Sequence, residues 1–309
     1  MSTHQAQASQ RVHASPSVRR VAREKNVDLA VLAGTGPKGR ITSADVEKFL
    51  RQPAPAPTPV TGGSAIPSIP TVDFSQFGQT EILPLSRIKR LTGLNLSRAW
   101  LNVPHVTHND EADISELEAF RQALKSRAEK EGLRITLLAF VMKALAATLK
   151  AFPTFNASLD ESGENLVLKK YVNLGIAVDT PNGLVVPVIR DVEQKGLFDL
   201  SAELMQVSAK AREKKLKPAD MSGGCMTISS LGGIGGTSFT PIVNAPEVAI
   251  LGLTRSYEKP FRGDHDEIVW KLMQPLSLSY DHRVIDGAEA ARFTRYLAER
   301  LTDIRLLLA

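Results

Sequence analysis

The sequence contains a single cysteine, Cys225, among its 309 residues. One thiol cannot form an intramolecular disulfide, so a disulfide-stabilised secreted domain is excluded and a reducing compartment is favoured. We interpret Cys225 as a buried core residue rather than a nucleophile. Because histidines, cysteines and carboxylates do not cluster at metal-ligand spacing, we predict no metal site.

Long apolar runs are also lacking. The best candidate, residues 137–152, is interrupted by Lys143 and Lys150, so no segment approaches the ~20 apolar residues that cross a bilayer. The first ten residues show no basic segment followed by an apolar one, and we therefore predict no secretory signal.

Aromatic residues make up only 6% of the chain, but 43% of the residues are hydrophobic and 23% are charged. This is an ordinary globular composition, which excludes a wholly disordered chain, a collagen and a coiled-coil rod. The length corresponds to about two domains.

Positive charge is concentrated near the N-terminus. Residues 1–50 hold eight basic and four acidic residues, a net +4, whereas the whole chain carries only +5. This asymmetry predicts an N-terminal part that binds an acidic partner. Nucleic acid is disfavoured as that partner, because no aromatic residues interleave with the basic ones and no nucleic-acid-binding signature is present.

Composition divides the chain into four parts. Residues 1–11 are polar, and we predict a disordered tail. Residues 12–50 form a small helical module, and residues 51–72 form an extended linker rich in proline. The remaining residues, 73–309, form one large domain.

Two cap patterns predict the helices of the small module. Ser15 followed by Pro16 indicates a helix start, and Thr42 with Asp45 three residues later is a capping-box pattern. Between them, residues 34–39 match G-x-G-x-x-G. No strand precedes this motif and Pro37 interrupts it, so we predict a tight loop rather than a dinucleotide site.

The large domain mixes both kinds of element without regular alternation, which predicts an α+β fold over a mixed sheet. Apolar periodicity predicts helices over residues 86–100, 114–130, 136–150, 201–214 and 286–307. Strand-like runs cover residues 103–111, 165–170, 172–178, 184–190, 226–230, 248–253 and 268–280.

Two polar clusters follow strands of this sheet. His282 and Asp286 lie at the end of one strand, and Ser229 and Ser230 at the end of another. The residues alone leave three interpretations of His282 open: a structural histidine, one ligand of a metal pair with Asp286, and a catalytic base. His105 and His108 are equally compatible with structural roles. No G-x-S-x-G motif supports a serine hydrolase.

Longer stretches resemble the dihydrolipoamide acyltransferase family of the 2-oxo acid dehydrogenase complexes. Residues 12–50 resemble its peripheral subunit-binding domain. Residues 73–309 resemble its catalytic domain, which has a chloramphenicol-acetyltransferase-like α+β fold. The family's HxxxDG signature is present at residues 282–287. The other specific stretches are DFSQFG, NVPHVTHNDEADISELEAFR, VNLGIAVDTPNGLVVPVI, GGCMTISSLGGIGGTSFTPIVNAPEVAILG and LSLSYDHRVIDGAEAARF.

Within the family, the sequence is most similar to bacterial members that act in pyruvate dehydrogenase complexes. The resemblance implies acetyl transfer between dihydrolipoamide and coenzyme A, both acting as substrates, with no acyl-enzyme. It assigns His282 as the general base and the Ser229 hydroxyl as the donor to the oxyanion. Asp286 is expected to orient the local loop through an ion pair.

The resemblance also implies partners. Family members form homotrimers that assemble into a cube or dodecahedron, with each active site between two subunits, so Ser229 and His282 are expected to come from different chains. Arg19, Arg23 and Arg40 are expected to bind dihydrolipoamide dehydrogenase or the pyruvate decarboxylase component. We expect the lipoyl group to be supplied by a domain that this chain lacks.

Several alternatives remain at this point. A sister complex would make the chain a succinyl- or branched-chain acyltransferase. A second alternative is a non-catalytic assembly scaffold, which the intact site residues disfavour. A third is a chloramphenicol acetyltransferase, which the small binding module disfavours. The expected compartment is the bacterial cytoplasm, with the mitochondrial matrix as the alternative.

Overall fold

The computed structural model of the protein describes residues 13–25, 27, 29, 32, 34–51 and 69–307. The chain divides into two compact units, residues 1–80 and 81–309. The tail predicted for residues 1–11 and most of the predicted linker, residues 52–68, lie outside the described residues.

The small unit contains the two predicted helices, α1 (Pro16–Glu24) and α2 (Ser43–Arg51). The Ser15 hydroxyl caps α1 by accepting the Val18 N–H at 3.4 Å. Apolar side chains from both helices and from the intervening loop meet in a small core; its buried members are Val18, Ile41 and Val46.

A buried aspartate joins the loop of this unit to α2. The Asp45 carboxylate accepts hydrogen bonds from the backbone N–H and the hydroxyl of both Thr35 and Thr42, at 2.7 to 3.1 Å. These donors hold the pKa of Asp45 far below its ordinary value. The predicted pairing of Thr42 with Asp45 is therefore confirmed, and it extends to the preceding loop.

The glycine motif between the helices forms a tight turn, as predicted. The Gly36 N–H donates to the Arg40 carbonyl at 2.9 Å, so the motif folds back on itself. A side chain on Gly34 would stand 2.5 Å from the Gly39 carbonyl oxygen, which explains glycine there by the close approach of two backbone segments.

The large unit contains five helices and nine strands among its described residues. The helices are α3 (Arg87–Asn102), α4 (Ser115–Lys130), α5 (Leu137–Ala151), α6 (Leu197–Arg212) and α7 (Gly287–Thr302). The strands are β1 (His105–Asp113), β2 (Ala157–Leu159), β3 (Leu166–Leu168), β4 (Leu174–Ile176), β5 (Val188–Ile189), β6 (Met226–Ser230), β7 (Ala249–Leu253), β8 (Tyr257–Arg262) and β9 (Ile268–Asp281).

Seven strands form one mixed sheet in the order β1-β9-β7-β6-β4-β5, with β8 paired to the first half of β9. Strands β4, β6 and β7 are mutually parallel, and the other pairings are antiparallel. Together with the helical small unit, this arrangement confirms the predicted α+β class.

The main core lies on one face of this sheet, beneath helices α4 to α7. Apolar side chains of the strands, such as Ile228 and Leu251, pack there against fully buried residues of α5 and α7. The buried rings of Phe155 and Phe293 stack within this core, with their centroids 3.9 Å apart. The opposite face meets α3, where Val103 and Ile250 belong to a separate small cluster.

Some predicted elements differ from the structure. The strand predicted over residues 165–170 is the short β3, which pairs with β2 in a separate hairpin rather than joining the main sheet. Strand β8 was not predicted, because its charged residues and Pro260 are unfavourable to a strand interior. The proline is tolerated because β8 pairs with β9 alone among the described strands, which leaves Pro260 on an edge strand.

Candidate active site

Strand β6 carries the predicted serine. Because side chains alternate across a strand, Met226 and Ile228 enter the main core, whereas Thr227 and Ser229 face the opposite side of the sheet. Ser229 is half-buried there, and its hydroxyl has no hydrogen-bond partner among the described residues. The hydroxyl is therefore available to donate to a bound molecule.

The Ser229 side chain lines a cavity of about 600 Å³ between the sheet and helix α3. Its wall is mostly apolar with a few polar groups, as is typical of small-molecule sites. The residues that contribute polar side chains on the sheet side include Thr227, Ser229 and Asn244, and the apolar wall includes Phe239 and Ile250.

His282 directly follows β9 and is exposed. Its backbone N–H donates to the Pro104 carbonyl at 3.0 Å, which fixes the chain as it leaves the strand. The imidazole lies beside the buried Tyr280 ring, with centroids 5.9 Å apart. Among the described residues, no group hydrogen-bonds either of its ring nitrogens, so both are available at the surface of the chain.

Among the described residues, the Asp286 carboxylate forms no ion pair, so its expected ion pair stays a prediction. The ion pair that the structure shows in this loop joins Asp281 and Arg283; the buried Asp281 carboxylate accepts three hydrogen bonds from the Arg283 guanidinium, the shortest at 2.6 Å. Asp286 orients the same loop differently, because its carboxylate caps α7 by accepting the Glu289 N–H at 2.7 Å. A negative charge there also complements the helix dipole.

Within one chain, Ser229 and His282 are far apart. The register places Ser229 level with Gly252 in β7 and with Ser277 in β9, five residues before His282. At about 3.4 Å per residue along the strand and about 4.8 Å between strands, the two are separated by roughly 20 Å. A single chain therefore does not bring these two side chains together.

A second histidine of this region, His105, is hydrogen-bonded to the backbone through its ring. His105 lies in β1, paired with Asp281, and both of its ring nitrogens are hydrogen-bonded. Nδ1 lies 2.8 Å from the Val103 carbonyl oxygen, and Nε2 accepts the Val243 N–H at 2.9 Å. This pattern requires the neutral imidazole with its proton on Nδ1.

Cys225 is buried, as predicted. Its thiol donates to the Tyr171 carbonyl at 3.3 Å, and burial raises its pKa. A thiol held in the neutral form is a poor nucleophile, which agrees with its interpretation as a core residue.

The three predicted partner-binding arginines are all exposed on the small unit. Arg19 and Arg23 lie one turn apart on α1, on the face next to the one that buries Val18 and Ala22. Arg40 precedes Ile41, which pairs with Ala14 at the start of α1. The fold therefore places Arg19 and Arg40 near the start of α1, where the Arg19 side chain donates to the Ala14 carbonyl, and Arg23 in the last turn of the same helix.

The described part of the chain contains neither a metal-binding cluster nor a membrane-spanning helix. No group of three or more histidine, cysteine or carboxylate side chains there is arranged to hold a metal ion. None of the helices in that part combines the length and the apolar character that crossing a bilayer requires.

A polar pair behind the cavity, Thr227 and Glu247, was not predicted from the sequence. The Thr227 hydroxyl donates to the Glu247 carboxylate at 2.7 Å, in a buried setting. A signal for it exists, because Glu247 stands directly before the apolar run of β7, where an acidic side chain is unusual.

Two family models divide the chain into an acyltransferase catalytic domain and a small binding domain. Residues 77–309 match the family model of the 2-oxoacid dehydrogenases acyltransferase catalytic domain, and residues 12–47 match that of the E3 binding domain. The chain belongs to the 2-oxoacid dehydrogenase acyltransferase family.

Its relatives narrow the family further. The chain is 55% identical over 306 residues to the dihydrolipoyllysine-residue acetyltransferase component of the pyruvate dehydrogenase complex of Cupriavidus necator. It is 54% identical over 302 residues to the component of the same name from Pseudomonas aeruginosa. Each match covers 96% of this chain and 55% of the relative, so the chain spans about half the length of these curated relatives.

Solved structures show the same fold. A structure of the Azotobacter vinelandii dihydrolipoamide acetyltransferase, from a study of a serine, a histidine and an asparagine in its catalytic mechanism, is 56% identical with a TM-score of 0.77. The match covers 79% of this chain and 100% of the solved chain. The cubic core of a pyruvate dehydrogenase multienzyme complex matches with the same identity, TM-score and coverage.

Proposed function

We propose that this chain transfers an acetyl group between the thiol of dihydrolipoamide and the thiol of coenzyme A, as the core of a pyruvate dehydrogenase complex. The observation that carries the proposal is the 52–55% identity, over 96% of the chain, to three components named for this activity. The exposed His282 and the unpartnered Ser229 hydroxyl supply the chemistry the reaction needs.

The reaction needs a base because a thiol with a pKa near 8.5 is only a few per cent thiolate at neutral pH. Imidazole is the side chain that most often accepts protons near neutral pH, so His282 is suited to accept the thiol proton. The thiolate attacks the thioester carbonyl directly, and the acyl group passes to it without an acyl-enzyme. The Ser229 hydroxyl donates to the oxyanion that forms, an interaction worth on the order of 10²–10³ in rate.

The working site lies between two subunits of a trimer. Ser229 and His282 are roughly 20 Å apart in one chain by strand geometry, so the pair acts together only when each comes from a different chain. A second subunit would also supply the group that orients the His282 ring, which has no hydrogen-bond partner among the described residues. Trimers then assemble into a larger particle, for which the similarity to a cubic core gives support.

The small unit binds the other enzymes of the complex. The positive charges of Arg19, Arg23 and Arg40 would contact carboxylates of dihydrolipoamide dehydrogenase or of the pyruvate decarboxylase component. The match to an E3 binding domain supports the first of these partners. The bacterial origin of the relatives supports the cytoplasm as the compartment.

The test is acetyl transfer from acetyl-CoA to free dihydrolipoamide, with wild type and His282→Ala compared. Free dihydrolipoamide makes the assay independent of any lipoyl domain. We expect the variant to lose at least about two decades of rate, as removal of a general base typically does. An assembled wild type that transfers no acetyl group would refute the proposal, and succinyl and branched-chain donors would then identify a sister activity.

A further inference from the structure

A buried carboxylate lies directly behind the cavity wall that carries Ser229. Glu247 is only 6% exposed, and its Oε2 accepts the Thr227 hydroxyl at 2.7 Å. Its Oε1 accepts the Asn244 side-chain N–H at 3.4 Å. An acidic group is costly to bury unless it is hydrogen-bonded, so these contacts constrain where the carboxylate can sit.

Two glycines leave the room that this pair occupies. Gly175 is the β4 neighbour of Thr227 in the sheet, and a side chain there would approach the Thr227 hydroxyl to 2.8 Å. A side chain on Gly224 would approach the Glu247 carboxylate to the same distance. The absence of a Cβ at both positions is what lets threonine and glutamate meet.

Lys169, which follows β3 in the adjacent hairpin, places a positive charge near the Glu247 carboxylate. The Lys169 ammonium donates to the carbonyls of Ala157 and Gly224 at 3.3 Å, and its field favours the ionised form of Glu247. The carboxylate is thus built into the sheet by a hydroxyl donor, an amide donor and a nearby positive charge.

This pair reaches the candidate active site through two elements. Thr227 lies two residues before Ser229 on β6, so both side chains project from the same face into the same cavity. Asn244 lines that cavity from the segment before β7. The carboxylate of Glu247 therefore ties together two parts of the wall.

We propose that Glu247 and Thr227 are positioning residues. They hold β6 against the segment around Asn244, so that the Ser229 hydroxyl keeps pointing into the cavity. This inference rests on the proposed acetyl transfer and on the role of Ser229 in it. Neither residue touches the reacting atoms; both act through Ser229.

The first experiment is Thr227→Val in the assembled chain, assayed for acetyl transfer to dihydrolipoamide. We expect kcat to fall about tenfold to a hundredfold, because small displacements of a catalytic group carry such losses, with KM changed less than twofold. Thr227→Ser keeps the hydroxyl and is expected to restore most of kcat. Thr148→Val is the matched control, since Thr148 is equally buried but its hydroxyl donates to the Ala144 carbonyl within α5, away from Ser229.

The second experiment separates positioning from a general structural role. In a Ser229→Ala background, Thr227→Val is expected to lower kcat less than twofold, because the group it positions is gone. An equal loss in both backgrounds would overturn the proposal, as would full activity of Thr227→Val in the wild-type background. If Thr227→Val does not assemble, Thr227→Cys replaces it, because a thiol is only a weak donor, and the same two results decide.

Failure of the proposed function is distinguishable from failure of this inference. A wild type without acetyl transfer refutes the function. An active wild type whose Thr227→Val variant keeps its kcat refutes only the positioning role.

Discussion

Replacing Glu247 by glutamine should stabilise the protein, and increasingly so as the pH rises. Burial raises the pKa of this carboxyl to about 7 from an ordinary value of 4.5, against the opposing effect of the Thr227 hydroxyl and the Lys169 charge. The folded chain therefore keeps its proton over a range of pH in which the unfolded chain has already released it. Stability is lost across that range as the pH rises.

The magnitude follows from the shift. A difference of about 2.5 pKa units corresponds to roughly 3 kcal/mol per chain, fully developed above pH 7 and absent below the unfolded pKa. Glutamine keeps an oxygen that accepts the Thr227 hydroxyl but cannot ionise. The advantage of Glu247→Gln over wild type should thus grow from pH 4.5 to pH 7 and then stay constant.

Urea unfolding at a series of pH values measures this directly, with the midpoint and slope recorded for both proteins. Glu161→Gln, an exposed glutamate in the turn between β2 and β3, is the matched control for the chemical change. A stability difference between Glu247→Gln and wild type that does not change between pH 5 and pH 8 would refute the reasoning.

Two further predictions concern other parts of the chain. Asp286→Ala should destabilise the large unit by about 1 kcal/mol, because the N-cap of α7 is lost, whereas Asp286→Asn should keep that cap. Thermal unfolding of both variants measures the difference, and equal losses of stability would contradict the capping role. Arg23→Glu should weaken the proposed binding to dihydrolipoamide dehydrogenase and reduce the dependence of that binding on salt, as calorimetry at several ionic strengths would measure. Lys48→Glu, the same charge reversal on α2, is the control. An equal effect of both substitutions would contradict a specific arginine contact.

Much of the fold could be predicted from local pattern. The long helices α4 and α5 show a clear apolar stripe or run, and the caps at Ser15 and Thr42 are local signals, so the sequence located them within a few residues. The short strands β2 and β3 carry no such pattern. Their hairpin depends on pairing partners, which neighbouring residues in the sequence do not determine.

The geometry of the candidate site was harder to predict than the identity of its residues. Ser229 and His282 were identified through a family resemblance, but their distance follows from the register of three strands, which residue spacing alone does not reveal. Likewise, Asp286 was expected in an ion pair, and only the geometry shows that Asp281 holds Arg283. The buried Glu247 was missed because its partner Thr227 lies twenty residues away in sequence.

The central claim, a catalytic site shared between chains, is tested most directly by mixing two inactive variants. His282→Ala and Ser229→Ala subunits, co-expressed in equal amounts and purified as mixed assemblies, should recover acetyl transfer. With random mixing, half of the histidine positions and half of the serine positions are intact, so about a quarter of the sites would be wild type. Recovery near that level supports the account. Mixed assemblies no more active than the two parents would contradict it, because both residues would then act within one chain.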